Sequence, residues 1–183
     1  MSLKTGYAEL SGFSMVLSFV VFLAGGLLFS SRPDVLAQDP TSSRFIWERI
    51  LIMMAVMLTA IGLILLEEHL SKTAGGGWTR IGSHLYLMAG VVLLCAETLR
   101  LSQWEQIYPL VVTYVMLAFL AQAAIGLGIT QSEMLPSNVG WFTIGWNIVW
   151  PVLLLLVTPA DIYYPGLHHM MPLVIGLSLL RSK

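Results

Sequence analysis

Side chains able to do acid–base or ligand chemistry are few here: nine Lys and Arg, ten Asp and Glu, four His and one Cys in 183 residues. They fall into two groups. The first is Glu97, Arg100, Asp161, His168 and His169. Glu97 and Arg100 are three residues apart and so are neighbours on a helix. Tyr86, Gly90 and Leu93 continue the Glu97 face. Pro172 follows the histidines by one turn, where proline frees a carbonyl and bends the helix. Imidazole with carboxylates from three segments suits a divalent cation or proton handling near neutral pH. Adjacent histidines point about 100° apart on a helix, so one of the two joins a given site. The commoner role of such residues is structural. Glu97 with Arg100 makes a surface ion pair, Asp161 caps a helix, and histidines beside Tyr163 and Tyr164 sit in an interfacial belt.

The second group is Glu67, Glu68, His69 and His84, with Lys72 and Arg80 nearby. A carboxylate-bridged metal pair needs Glu-x-x-His on each partner helix, whereas His69 directly follows Glu68. No metal is expected in either group, and the identity of any cofactor is left open by the sequence. His84 and His168 fall at opposite membrane faces, which speaks against a haem held between them.

Between these groups lie uncharged polar residues at mid-span: Gln122, Asn147, Thr143 and Tyr114. Thr143, Asn147, Trp150 and Leu154 share one helical face, and the segment around them reads Trp-Asn-Ile-Val-Trp-Pro. Asn147, Trp150 and Gln122 are therefore a candidate apolar pocket for a flat ligand such as a quinone, sterol or isoprenoid. An intramembrane Asn more often bonds a neighbouring helix, for about 0.6 kcal/mol. The bundle centre is otherwise expected to be dry and aromatic.

The elements that must position these residues follow from composition. Charged residues are 10% of the chain and hydrophobic ones 57%, against about 25% charged in soluble domains. Spanning about 30 Å of hydrocarbon takes roughly 20 apolar residues in a helix. Six runs meet this, at about 10–30, 46–66, 81–101, 107–128, 139–157 and 162–180. The expected fold is all-α, a polytopic membrane protein in which a bundle of six transmembrane helices forms one domain over 1–183. Barrel strands would instead alternate in segments of about 10 residues. Asp39-Pro40 reads as a cap and first helical position, giving an interfacial turn with Trp47, Glu48 and Arg49. The Gly75–Gly77 run, Pro136-Ser137 and Pro159-Ala160-Asp161 mark other connections. Lys4, the first apolar run and Val35-Leu36-Ala37 loosely resemble a cleavable signal, but the run is of spanning length and reads as a retained helix.

With six spans both termini share a side. Lys4, Lys72, Arg80, Arg181 and Lys183 stand against Arg32, Arg44, Arg49 and Arg100, which favours cytoplasmic termini in a bacterial or archaeal cell membrane. The glutamate–histidine group containing Glu97 then lies outside.

The function classes narrow accordingly. A net charge of −1 excludes a nucleic-acid stripe, and the single Cys95 excludes an internal disulfide and CxxC chemistry. There is no nucleophile elbow, zinc-protease motif, phosphate-binding glycine loop or pore filter sequence. Three readings remain. One is a non-enzymatic module, a subunit or scaffold of a membrane complex holding lipid or another apolar ligand. Another is a small-molecule carrier with a proton-sensitive site at the outer ends of helices 3 and 6. The last is a membrane enzyme on a lipid-soluble substrate, with Glu97 and His168 or His169 as acid and base. Expected partners are the bilayer, an apolar small molecule and other membrane proteins.

Overall fold

The computed structural model describes residues 3–30, 41–104, 106–158 and 164–181. Six α-helices follow in order: α1 Leu3–Ser30, α2 Ser43–Leu70, α3 Gly76–Leu101, α4 Tyr108–Thr130, α5 Ser137–Val157 and α6 Pro165–Arg181. No strand occurs among the described residues. Five helices, all but α6, are long and apolar enough to cross a membrane. Their large apolar side chains face outward, among them Phe13, Leu27, Met88, Leu120 and Leu156. Water would penalise such a surface and lipid would not. The protein is an all-α, polytopic membrane protein.

Local chemistry sets the ends. Pro109 stands in the first turn of α4, where its missing N–H costs nothing. α3 ends in a Schellman turn. Gln103 adopts a left-handed φ of 64°, and the N–H groups of Gln103 and Trp104 donate to the carbonyls of Arg100 and Leu99. Asp39, Pro40 and Asp161, expected as caps, lie outside the described residues.

Each helix packs mainly on its chain neighbour, and α6 returns to pack on α1; the contact between α5 and α6 is slight. α1 meets α2 through a serine stripe. Ser11, Ser14 and Ser18 donate to the carbonyls of Gly62, Leu58 and Ala55 at 2.7, 2.8 and 2.7 Å. Small residues allow backbones to approach closely where no hydrophobic force drives association. A Cβ on Gly12 of α1 would lie 2.9 Å from the Gly176 carbonyl of α6. One on Gly126 of α4 would lie 2.9 Å from the Gly140 carbonyl of α5.

The last helix departs from the expected full span. It has 17 residues, about 25 Å at 1.5 Å per residue, short of the hydrocarbon thickness. Because its carboxyl end packs beside Gly12 of α1, its first turn starts partway along the bundle. That offset decides where the histidines sit.

Candidate functional site

Five helices bring polar side chains to the middle part of the bundle, over about 12 Å of its length between Tyr114 and Gln122 of α4. α1 supplies Ser18, α2 Thr59, α3 Tyr86, α4 Tyr114 and Gln122, and α6 His168 and His169. All are buried. Ser18 Oγ lies 2.7 Å from Thr59 Oγ1 and 3.3 Å from His169 Nδ1. The Tyr86 hydroxyl faces Thr59 and Tyr114 but makes no hydrogen bond of normal length. The Tyr114 ring lies 5.4 Å from that of His168 and the Phe119 ring 4.3 Å. Phe22 stacks on His169 at 4.6 Å.

Proton counting fixes one histidine tautomer. Ser18 spends its only proton on the Ala55 carbonyl, so the other two contacts must be donated to its oxygen. Thr59 then donates its hydroxyl, and His169 donates Nδ1–H. The remaining nitrogen, His169 Nε2, is a buried acceptor with no hydrogen-bond partner.

His168 is more exceptional. Pro172 has no N–H, so the His168 carbonyl one turn earlier loses its helical donor. Gln122 replaces it, its Nε2 donating to that carbonyl at 2.9 Å. On the other side of the turn, Trp146 Nε1 donates to the Leu167 carbonyl at 3.0 Å. The backbone is therefore held from α4 and α5. The imidazole is not: His168 has 0% exposure, and neither ring nitrogen has a hydrogen-bond partner. Gln122 Oε1 is unpartnered too. Buried polar atoms without partners each cost about 1–3 kcal/mol, and native proteins keep few of them.

At the end of the bundle where α3 finishes lies a separate ion chain. Arg49 Nη2 contacts Glu48 Oε1 at 2.8 Å, Arg49 Nη1 contacts Glu97 Oε1 at 3.4 Å, and Arg100 Nε contacts Glu97 Oε2 at 3.6 Å. The Phe45 ring covers the Arg49 guanidinium at 5.0 Å, a cation–π contact. Glu48, Arg49 and Glu97 are buried within the bundle, at the end where α2 begins and α3 finishes. Among the described residues two acids and two bases balance in this chain, which favours burying the charge.

The opposite end holds Glu67, which takes a short hydrogen bond from Ser83 Oγ. It also pairs with Arg80 at 3.3 Å and lies 3.6 Å from His84 Nδ1. Arg80 and His84 are exposed, as expected for residues that water and headgroups can solvate.

The first sequence group is thus divided. Glu97 and Arg100 are together and acquire Arg49, while His168 and His169 sit deeper, and Asp161 lies outside the described residues. Tyr86, at the histidine level, precedes Glu97 by eleven residues of α3, about 16 Å along the axis. The centre is polar rather than dry. Gln122 joins the histidine level, whereas Asn147 turns back on its own helix, its Nδ2 donating to the Thr143 carbonyl at 2.8 Å. Trp150 is half-buried with its ring 5.5 Å from Trp146. A groove of about 400 Å³ lies elsewhere, lined by methionines 53, 54 and 57 of α2 with Leu94 of α3. Among the described residues no three His, Cys, Asp or Glu side chains converge as a metal site. Sequence reasoning did not single out Ser18, Thr59 or Phe119. The spacing of Ser11, Ser14 and Ser18, three and four apart on one apolar helix, was the available signal for the first.

These features define a class, a membrane-embedded helical bundle with a buried polar layer at mid-depth. No protein-family model, curated protein or solved structure matches the chain.

Proposed function

We propose that this protein is a non-enzymatic membrane module that holds a lipid-soluble small molecule at the mid-depth polar layer. The observation that carries this reading is His168, a fully buried imidazole with both nitrogens unpartnered on a backbone fixed by Gln122 and Trp146. A few placed polar groups within an apolar and aromatic lining, here Tyr114 and Phe119, are features of small-molecule sites. The slight α5–α6 contact offers the compound a route from the bilayer. The buried ion chain is assigned a structural role, joining α2 to α3.

Native mass spectrometry of the protein released from mild detergent tests the reading. One small molecule bound per chain is expected, and a chain that is bare across mild release conditions overturns it. The same spectra test the association expected of a complex subunit, since a partner would appear as an added mass.

Both termini are assigned to the cytoplasm of a bacterial or archaeal cell, on the excess of Lys and Arg at that end. Labelling of cysteines placed at Lys4 and Arg181 in intact cells tests this; labelling by an impermeant reagent contradicts it.

A further inference from the structure

We infer that the bound compound is an uncharged ring alcohol, a lipid-soluble phenol or close equivalent, whose hydroxyl hydrogen-bonds His168. This rests on the binding reading above and adds the chemistry of what is bound.

The first argument is a count of donors and acceptors. An imidazole that is not ionised carries one N–H and one acceptor nitrogen. Gln122 Oε1, buried and unpartnered on the side chain that bonds the His168 carbonyl, only accepts. Acceptors therefore outnumber donors, and a ligand matched to the layer must bring a proton to donate. A hydroxyl donates once and accepts twice. A ketone, ester or ether oxygen only accepts, and would leave the surplus acceptors as they are.

The second argument is charge. Ser18, Thr59, Tyr86, Tyr114, Gln122, His168 and His169 include no carboxylate, ammonium or guanidinium. Glu97 is already committed to Arg49 and Arg100 and lies about 16 Å further along α3. Among the described residues of this layer an ionic ligand would find no counter-charge, in a region where unpaired charge is costly.

The third is shape. The rings of Tyr114 and Phe119 lie 5.4 and 4.3 Å from His168, both tilted. Aromatic neighbours at such angles accept another ring in offset or edge-on contact. Trp146 bonds the α6 backbone at the adjacent residue, and places a further aromatic surface where the α5–α6 seam reaches lipid.

The test uses a pair of probes that differ only in the proton, 4-nonylphenol and its methyl ether 4-nonylanisole. The full chain is placed in phosphatidylcholine nanodiscs, with empty nanodiscs subtracted for partitioning. Saturable binding of tritiated 4-nonylphenol is expected, with unlabelled phenol displacing it at least about tenfold better than the ether, since sites built to bond a hydroxyl reject analogues lacking it. His168→Phe, which keeps a ring, is expected to weaken phenol binding at least about tenfold and erase the preference over the ether. His168→Gln keeps hydrogen-bonding atoms and guards against a folding failure in the first variant; it should retain part of the preference. Ile61→Val, on the lipid-facing surface, should leave binding unchanged. Equal displacement by phenol and ether overturns the ring-alcohol inference. So does the absence of saturable phenol binding when native spectra still show a bound compound, in which case the binding reading survives. A bare native chain that also binds no phenol overturns both.

Discussion

Gln122 of α4 donates its amide to the carbonyl of His168 in α6 at 2.9 Å, the carbonyl that Pro172 leaves without a helical donor. A proline that would otherwise expose a backbone acceptor in the bundle interior is matched by a glutamine on another helix. The match fixes the height and rotation of the α6 first turn, and with it the direction of the His168 ring.

That relationship predicts a coupled pair. Gln122→Leu should cost about 1–2 kcal/mol by leaving the carbonyl unpaired. Pro172→Ala restores an N–H at the next turn, so Gln122→Leu in that background should cost less than about 1 kcal/mol. Unfolding of the four proteins in mixed detergent measures the coupling; additive costs would break the assignment.

His168→Phe should leave the ligand-stripped protein as stable as the wild type, or more stable by up to about 1–2 kcal/mol. It removes two unpartnered polar atoms while keeping ring volume. The same change should lower the stability of the ligand-bound preparation relative to wild type, because stabilisation by a ligand is lost with its binding. Melting curves before and after stripping show whether the two effects have opposite sign.

The ion chain behaves differently. Glu97→Gln leaves Arg49 and Arg100 without the carboxylate they share, and should cost about 3–5 kcal/mol. A Glu97→Gln protein as stable as wild type in detergent unfolding would show that the chain is solvated rather than buried.

Ser18→Ala should cost clearly more than Ser11→Ala. Ser11 makes one helix–helix bond, an interaction of about 0.6 kcal/mol in membranes. Ser18 bonds Ala55, Thr59 and His169 at once, so its loss removes about 1–2 kcal/mol and strands the His169 Nδ1 proton. Equal costs for the two alanines would mean that the polar layer is not a connected network.

The helices were legible in the sequence because lipid imposes a simple rule. A run of spanning length has to be helical, and Leu10, Ile46, Ile81, Ile107 and Val139 each open such a run. The pairing of Glu97 with Arg100 was legible from their three-residue spacing. The depth of the histidines was not. Counting from the chain places His168 near the start of a span and therefore near a surface, and only packing of the short α6 beside Gly12 lowers it to the middle. Arg49 was hidden for a related reason. Glu48 and Arg49 close to Trp47 read as an interfacial turn, and nothing local in the chain shows that Glu97, from another helix, supplies the counter-charge that permits their burial. Ser18 and Thr59 read as tolerated small residues, because a hydroxyl takes its meaning in a bundle from the carbonyl opposite, which no local pattern reveals.

The central claim is that the His168 ring is occupied by hydrogen bonds to a bound compound. Nitrogen NMR of protein labelled at its histidines, four in all, addresses the ring atoms directly, with His168→Phe used to assign the signal. The His168 resonances are expected to move when the native preparation is stripped and to return when its organic extract is added back. Resonances identical in the native and stripped protein would contradict it.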